Sequence, residues 1–118
     1  MPADPKPPRR IDDPDTLARL HRRWNECVLC GKARGQGRLS LHHIHKHPRD
    51  DVVANLVMLC GNGTTGCHGW IEAGHEATRK LLGRYIARRR LDTLDYLSAK
   101  LGDEQAREWL RRNLYAPV

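Results

Sequence analysis

The side chains able to do chemistry are concentrated between residues 27 and 68. The stretch Leu39-Ser40-Leu41-His42-His43-Ile44-His45 is bracketed by Cys27 and Cys30 before it and Cys60 and Cys67 after it, and His68 follows the last cysteine directly. Two adjacent histidines on an extended, alternating stretch point to opposite sides. One can therefore hold a metal ion while its neighbour does other work. The cysteines, Cys27-x2-Cys30 and Cys60-x6-Cys67, suit a structural four-cysteine zinc site, because zinc takes four soft ligands in a tetrahedron and two pairs on separate loops supply them. The second spacing is wide, and the glycines at 61, 63 and 66 are expected to make that loop flexible enough to fold back. Four cysteines could instead form two disulfides, or stay reduced and buried. Nothing in the chain suggests secretion, and burial does not explain the pairing.

These residues need elements to position them. Residues 1–13 (MPADPKPPRRIDD) hold four of the seven prolines and read as a disordered basic arm. Asp13-Pro14 reads as an N-cap followed by proline at the first helical position. The helix it starts puts Leu17, Leu20 and Trp24 on one face and runs up to the first cysteine pair. Cys27-Val28-Leu29-Cys30-Gly31 is a metal-binding turn, and residues 32–38 a basic loop. Residues 39–44 are a strand with Leu39, Leu41 and His43 on one face and Ser40, His42 and Ile44 on the other. A loop holding Pro48 follows. The run 52–60 (VVANLVMLC) fits a turn of helix or a second strand. Residues 61–66 are a tight loop, and a helix from Cys67 places His68 on its first turn. Residues 81–86 are ambiguous between helix and strand. Leu94, Leu97, Ser98 and Leu101 form a helical face stopping at Gly102, and Asp103 is expected to cap a last helix with Ala106, Trp109, Leu110 and Leu114 on its apolar face. The two make an αα-hairpin.

A chain of 118 residues holds one small domain. With no Phe and 5% aromatics, its core would gain from a bound metal. The net charge of +7 and pI of 9.7 favour a polyanionic partner. No apolar run approaches the roughly 18 residues of a membrane span and no leader is visible, so the expectation is a soluble, cytoplasmic protein.

The histidines gain meaning as a set. His42-His43, then Asn55, then His68 beside a cysteine, carried on CVLC, LHHI, NLVMLC and CH in that order over about Cys27 to Ile71, resemble the HNH endonucleases of the ββα-metal fold. The resemblance implies an α+β fold. Its ββα core with the zinc site would span 14–75, flanked by an N-terminal helix and by a C-terminal helical extension over 76–118. It implies His43 as general base, Asn55 as the residue that orients the base and steadies its loop, and His42 and His68 as ligands to a catalytic divalent cation. The Cys60-to-Cys67 gap departs from the family's common CxxCH form. CGNGTTGCHGW also looks like phage-encoded HNH proteins, some beside packaging terminases, which would make DNA the substrate, a terminase a partner and the host cytoplasm the location.

The chemistry is coherent without the family. A histidine titrating near neutrality can take a water proton, and one cation with open positions stabilises charge on a phosphoryl group. Imidazole ligands suit Ni2+, Mn2+, Co2+ or Zn2+ as well as Mg2+. Glu72, one turn after His68, is either a further ligand or a solvated carboxylate. His45 and His47, beside Lys46 and Arg49, are expected to contact DNA phosphates, and His21 and His75 to lie on the surface. The competing readings are a catalytically inactive, zinc-stabilised nucleic-acid-binding module and a terminase-interacting protein. The C-terminal helices could also serve a homodimer.

Overall fold

In a computed structural model that describes residues 10–116, α1 spans Pro14–Arg23 with Pro14 in its first turn. Asp13 caps it, accepting from the Thr16 N–H at 3.1 Å and the Thr16 hydroxyl at 2.6 Å. The helix ends at Arg23, short of the cysteine pair, because Trp24 turns extended. Then come β1 (Leu39–His43), a 3-10 turn (Val53–Asn55), β2 (Leu56–Cys60), α2 (Gly66–Glu72), α3 (Glu76–Arg89), α4 (Leu91–Leu101) and α5 (Asp103–Arg112). Among the described residues the molecule is therefore α+β, with five α-helices and one two-stranded sheet. No described helix is long and apolar enough to cross a membrane.

β1 and β2 are antiparallel, with His42 opposite Val57 and His43 opposite Leu56. Every residue of β2 is buried. The apolar run 52–60 thus resolves into both expected forms, a helical turn and then a strand. The core joins β2 to Leu39, Ile44, Ile71, Leu82, Ile86 and Tyr115. Residues 76–116 accordingly complete the same core as the strands. The ambiguous stretch 81–86 lies inside α3, whose N-cap is His75, accepting from the Thr78 N–H. Gly83 is required there by close approach: a Cβ at this position would come within 1.5 Å of the Tyr115 carbonyl oxygen.

Between α4 and α5 the turn falls at Gly102, with φ of 84°. Gly102 itself is the cap of α5 and Asp103 is the first helical residue. This corrects the expected Asp103 cap, although a carboxylate in the first turn still meets the helix dipole favourably.

The expected disordered arm lies outside the described residues up to position 9, but residues 10–13 are held. The Ile11 N–H donates to Asp50 Oδ1 at 2.8 Å and the Asp13 N–H to Asp51 Oδ2 at 2.9 Å. Ile11 returns its carbonyl to the Asp51 N–H at 2.8 Å. Asp50, fully buried, also accepts from the Tyr96 hydroxyl and pairs with Lys100 at 2.9 Å. A buried carboxylate needs such donors to offset its lost hydration. Asp50 thereby ties residues 10–13, the histidine loop and α4 together.

Candidate metal centres and active site

The four cysteines come from three elements: the turn after α1, the end of β2 and the start of α2. All are free thiols, and their sulfurs lie within 4.8 Å of one another. Cys30 Sγ and Cys60 Sγ are 3.6 Å apart. Sulfurs about 2.3 Å from a tetrahedral zinc stand about 3.8 Å from each other, so the cluster could hold a metal ion and suits zinc. Burial, together with the neighbouring sulfurs of Cys60 and Cys27, pushes the Cys67 thiol far up, an effect that a bound divalent cation reverses.

The loop between Cys60 and Cys67 is held by its own hydrogen bonds. Asn62 Oδ1 accepts from the Thr64 N–H at 2.9 Å and from the hydroxyls of Thr64 and Thr65. Gly61 (φ 82°) and Gly66 (φ 63°) adopt the left-handed region, and a Cβ on Gly61 would lie 2.1 Å from the Thr65 carbonyl oxygen. The wide spacing is therefore accommodated as a turn that folds back and brings the Cys67 N–H to 3.3 Å from Cys60 Sγ.

The two adjacent histidines do face opposite ways. His42 turns toward α2, where His42 Nδ1 lies 3.0 Å and His68 Nε2 3.3 Å from the same oxygen, Glu72 Oε1. The ligand atoms of His42, His68 and Glu72 fall within 4.8 Å of one another and could hold a metal ion. The second Glu72 oxygen pairs with Lys46. The His42 and Lys46 contacts hold the Glu72 carboxyl well below its usual range, so Glu72 is a charged member of the group, not a solvated glutamate.

The tautomer of His68 follows from its neighbours. Ser40 Oγ gives its one proton to the Gly61 carbonyl at 2.7 Å, so at 2.6 Å from His68 Nδ1 it accepts the Nδ1 proton. Neutral His68 then presents the Nε2 lone pair to Glu72. An acceptor facing a carboxylate is satisfied by a proton or by a metal cation between them, and a histidine whose other nitrogen is anchored suits the second. His42 Nε2, by contrast, is buried without a partner.

Burial pushes His42 down to about 4, against the opposing pull of Glu72, and burial also holds His68 below its ordinary value. Both are ready as neutral ligands at pH 7. Between pH 6.5 and about 4 the unfolded chain accepts a proton at His42 that the folded chain refuses. Stability from this group is thus full above pH 6.5 and lost as pH falls, by about 2 kcal/mol at pH 5. With no divalent cation added, the unfolding free energies of wild type and His42→Gln from urea titration are expected to converge by that amount between pH 7 and pH 5. A constant gap would refute it.

His43 turns to the other face. Its Nε2 lies 2.7 Å from Asp51 Oδ1, and Arg49 Nε donates to its Nδ1 at 3.1 Å. Because arginine can only donate, Nδ1 carries the lone pair and Nε2–H points at Asp51. Burial lowers the His43 pKa, with Asp51 pulling the other way. Asp51 was not legible in the sequence, where the Asp50-Asp51 pair in a polar loop offers no distinguishing signal.

Asn55 makes no hydrogen bond to the His43 ring. Its Oδ1 accepts from the His45 N–H at 2.8 Å, and its Nδ2 donates to the carbonyls of His45 at 2.9 Å and Asp50 at 3.0 Å. It steadies the loop carrying Arg49 and Asp51, and any orienting of the base passes through that loop. His45 is 4% exposed and packs against Trp109 with ring centroids 5.0 Å apart. That removes it from the phosphate contacts expected of it, whereas His47 is exposed.

Comparison with protein-family models, with curated proteins and with solved structures returns no match.

Proposed function

We propose that this chain is a metal-dependent DNA endonuclease of HNH type, hydrolysing phosphodiester bonds with His43 as general base. One observation carries the reading: His42 and His43, consecutive on β1, have different partners on opposite faces of the sheet. His42 joins His68 and Glu72, while His43 joins Asp51. Burial alone asks each ring for a hydrogen-bond partner, but it does not ask that a second histidine and a carboxylate converge on His42. The succession of β1, β2 and α2 around these residues supports a ββα-metal core.

His42, His68 and Glu72 would hold the catalytic divalent cation, Mg2+, Mn2+ or Ni2+, with zinc on the four cysteines. The cation supplies charge stabilisation for the phosphoryl group and the leaving oxygen. His43 Nδ1 takes the water proton once Arg49 turns to an incoming phosphate, for which a guanidinium is well suited. Asp51 holds the ring by its Nε2 proton and stabilises the imidazolium that forms. Ser40 keeps His68 Nε2 free for ligation, and Asn55 keeps the loop in place.

Supercoiled-plasmid nicking tests this. Wild type is expected to nick only with added divalent cation. His68→Ala and His42→Ala are expected to shift the cation concentration giving half-maximal rate upward by about tenfold or more, the usual loss when a metal ligand's surroundings are disturbed. An unchanged titration would remove both from ligation. Salt-sensitive DNA binding without nicking at any cation would instead favour the inactive nucleic-acid-binding module.

A further inference from the structure

We infer that the outer face of α3, together with the tip of the Cys27–Cys30 turn, is a binding groove for a single strand of nucleic acid, separate from the histidine site. Leu81, Arg84, Tyr85 and Arg88 follow helical spacing along one side of α3, opposite the buried Leu82 and Ile86. With Val28 and Leu29 they line a cavity of about 300 Å3. A second cavity of about 560 Å3 shares Val28 and Tyr85 and continues to Trp24 and Arg23. The floor is apolar and aromatic, and the rim carries Arg23, Arg84, Arg88 and Arg89 against a single carboxylate, Glu26, at the Trp24 end.

The rim charges are free. Arg23, Arg84, Arg88 and Arg89 are exposed, and among the described residues none reaches a carboxylate, whereas other basic side chains do: Lys80 pairs with Glu76, Arg90 with Asp92 and Arg111 with Glu108. Arg90 marks the difference. It is buried, donates to the Val53 and Leu56 carbonyls at 2.7 and 2.8 Å and lies 5.5 Å from the Trp24 ring centroid, so it holds the groove wall. Arg84, Arg88 and Arg89 have no such structural task. Leu81, 48% exposed, is likewise an apolar side chain with nothing over it.

A single strand offers what this surface lacks: evenly spaced anions for the rim and flat apolar rings for Tyr85 and the floor. A duplex would bring phosphates alone, since its bases stay stacked inside. The choice of nucleic acid over an acidic peptide rests on the nuclease reading, and the groove itself does not depend on cleavage.

The test is anisotropy titration of a labelled oligodeoxythymidylate and of a hairpin duplex of equal length, over a range of salt. It uses wild type, Arg84→Ala/Arg88→Ala/Arg89→Ala and Tyr85→Ala, with zinc content and circular dichroism checked for each. The triple variant is expected to bind the single strand at least about tenfold more weakly. Its log K against log salt slope should be shallower by about 2, from three lost phosphate contacts at about 0.7 each. Tyr85→Ala is expected to weaken single-strand binding more than duplex binding. Unchanged single-strand affinity and slope in the triple variant overturn the proposal. So do equal losses on the duplex, or displacement of wild type by polyglutamate but not by oligonucleotide. Loss of binding in the triple variant of a protein that never nicks DNA supports the groove and removes only the nuclease reading.

Discussion

His43→Ala is expected to slow cation-dependent plasmid nicking by about 10^2- to 10^4-fold, the range a positioned general base contributes. The expectation rests on the ring's partners. Asp51 Oδ1 accepts from Nε2–H at 2.7 Å, and the Arg49 donor at Nδ1 marks that nitrogen as the basic atom. Truncation also costs Asp51 one of its donors, about 1–3 kcal/mol for a buried group. His43→Gln, which keeps a donor for that carboxylate, separates lost chemistry from lost stability. Asp51→Asn is expected to lower kcat by about 100-fold or more through a misplaced ring proton, with little change in KM. Cleavage at the wild-type rate in His43→Gln would end the general-base assignment. Wild-type kcat in Asp51→Asn would reduce that pair to packing.

If the four cysteines hold zinc, as their spacing allows, its removal is expected to unfold the protein. Zinc in small domains contributes about 10–16 kcal/mol, against a net domain stability of about 5–15 kcal/mol. The cysteine cluster joins the α1 exit, β2 and α2, the last two of which also position His68. Cys60→Ser is therefore expected to lose its zinc, its far-ultraviolet dichroism and its cooperative melt together. Chelator-treated wild type should behave the same way and recover with added Zn2+. A cooperative melt at the wild-type midpoint after verified metal removal would contradict a structural role for the site.

What could be read from the sequence was what short-range rules decide. Asp13-Pro14 marked the start of α1, Gly102 ended α4, and alternation along residues 39–44 put His42 and His43 on opposite faces. Residues whose roles depend on distant partners were not readable. His45 sits beside Lys46 like any phosphate-binding histidine, but Trp109, far along the chain, covers it. Asp51 is anonymous until the loop, closed by Asn55, brings it to His43. Glu72 was half legible, since the i,i+4 spacing from His68 shows proximity but not that His42 joins from another element. The glycines at 61 and 66 suggested looseness because composition cannot show Asn62 gathering three donors.

The pairing of β1 with β2 carries more than packing. Because neighbouring strand positions alternate sides, a slip of one residue would exchange the two imidazoles, sending His43 to α2 and His42 to Asp51. Assignment of labour is thus written in the alignment of the strands, and the Asn55 clamp at their hairpin end guards it. A one-residue deletion between Lys46 and Asp50 should consequently do more harm than any single replacement within that loop, by handing each histidine its neighbour's surroundings.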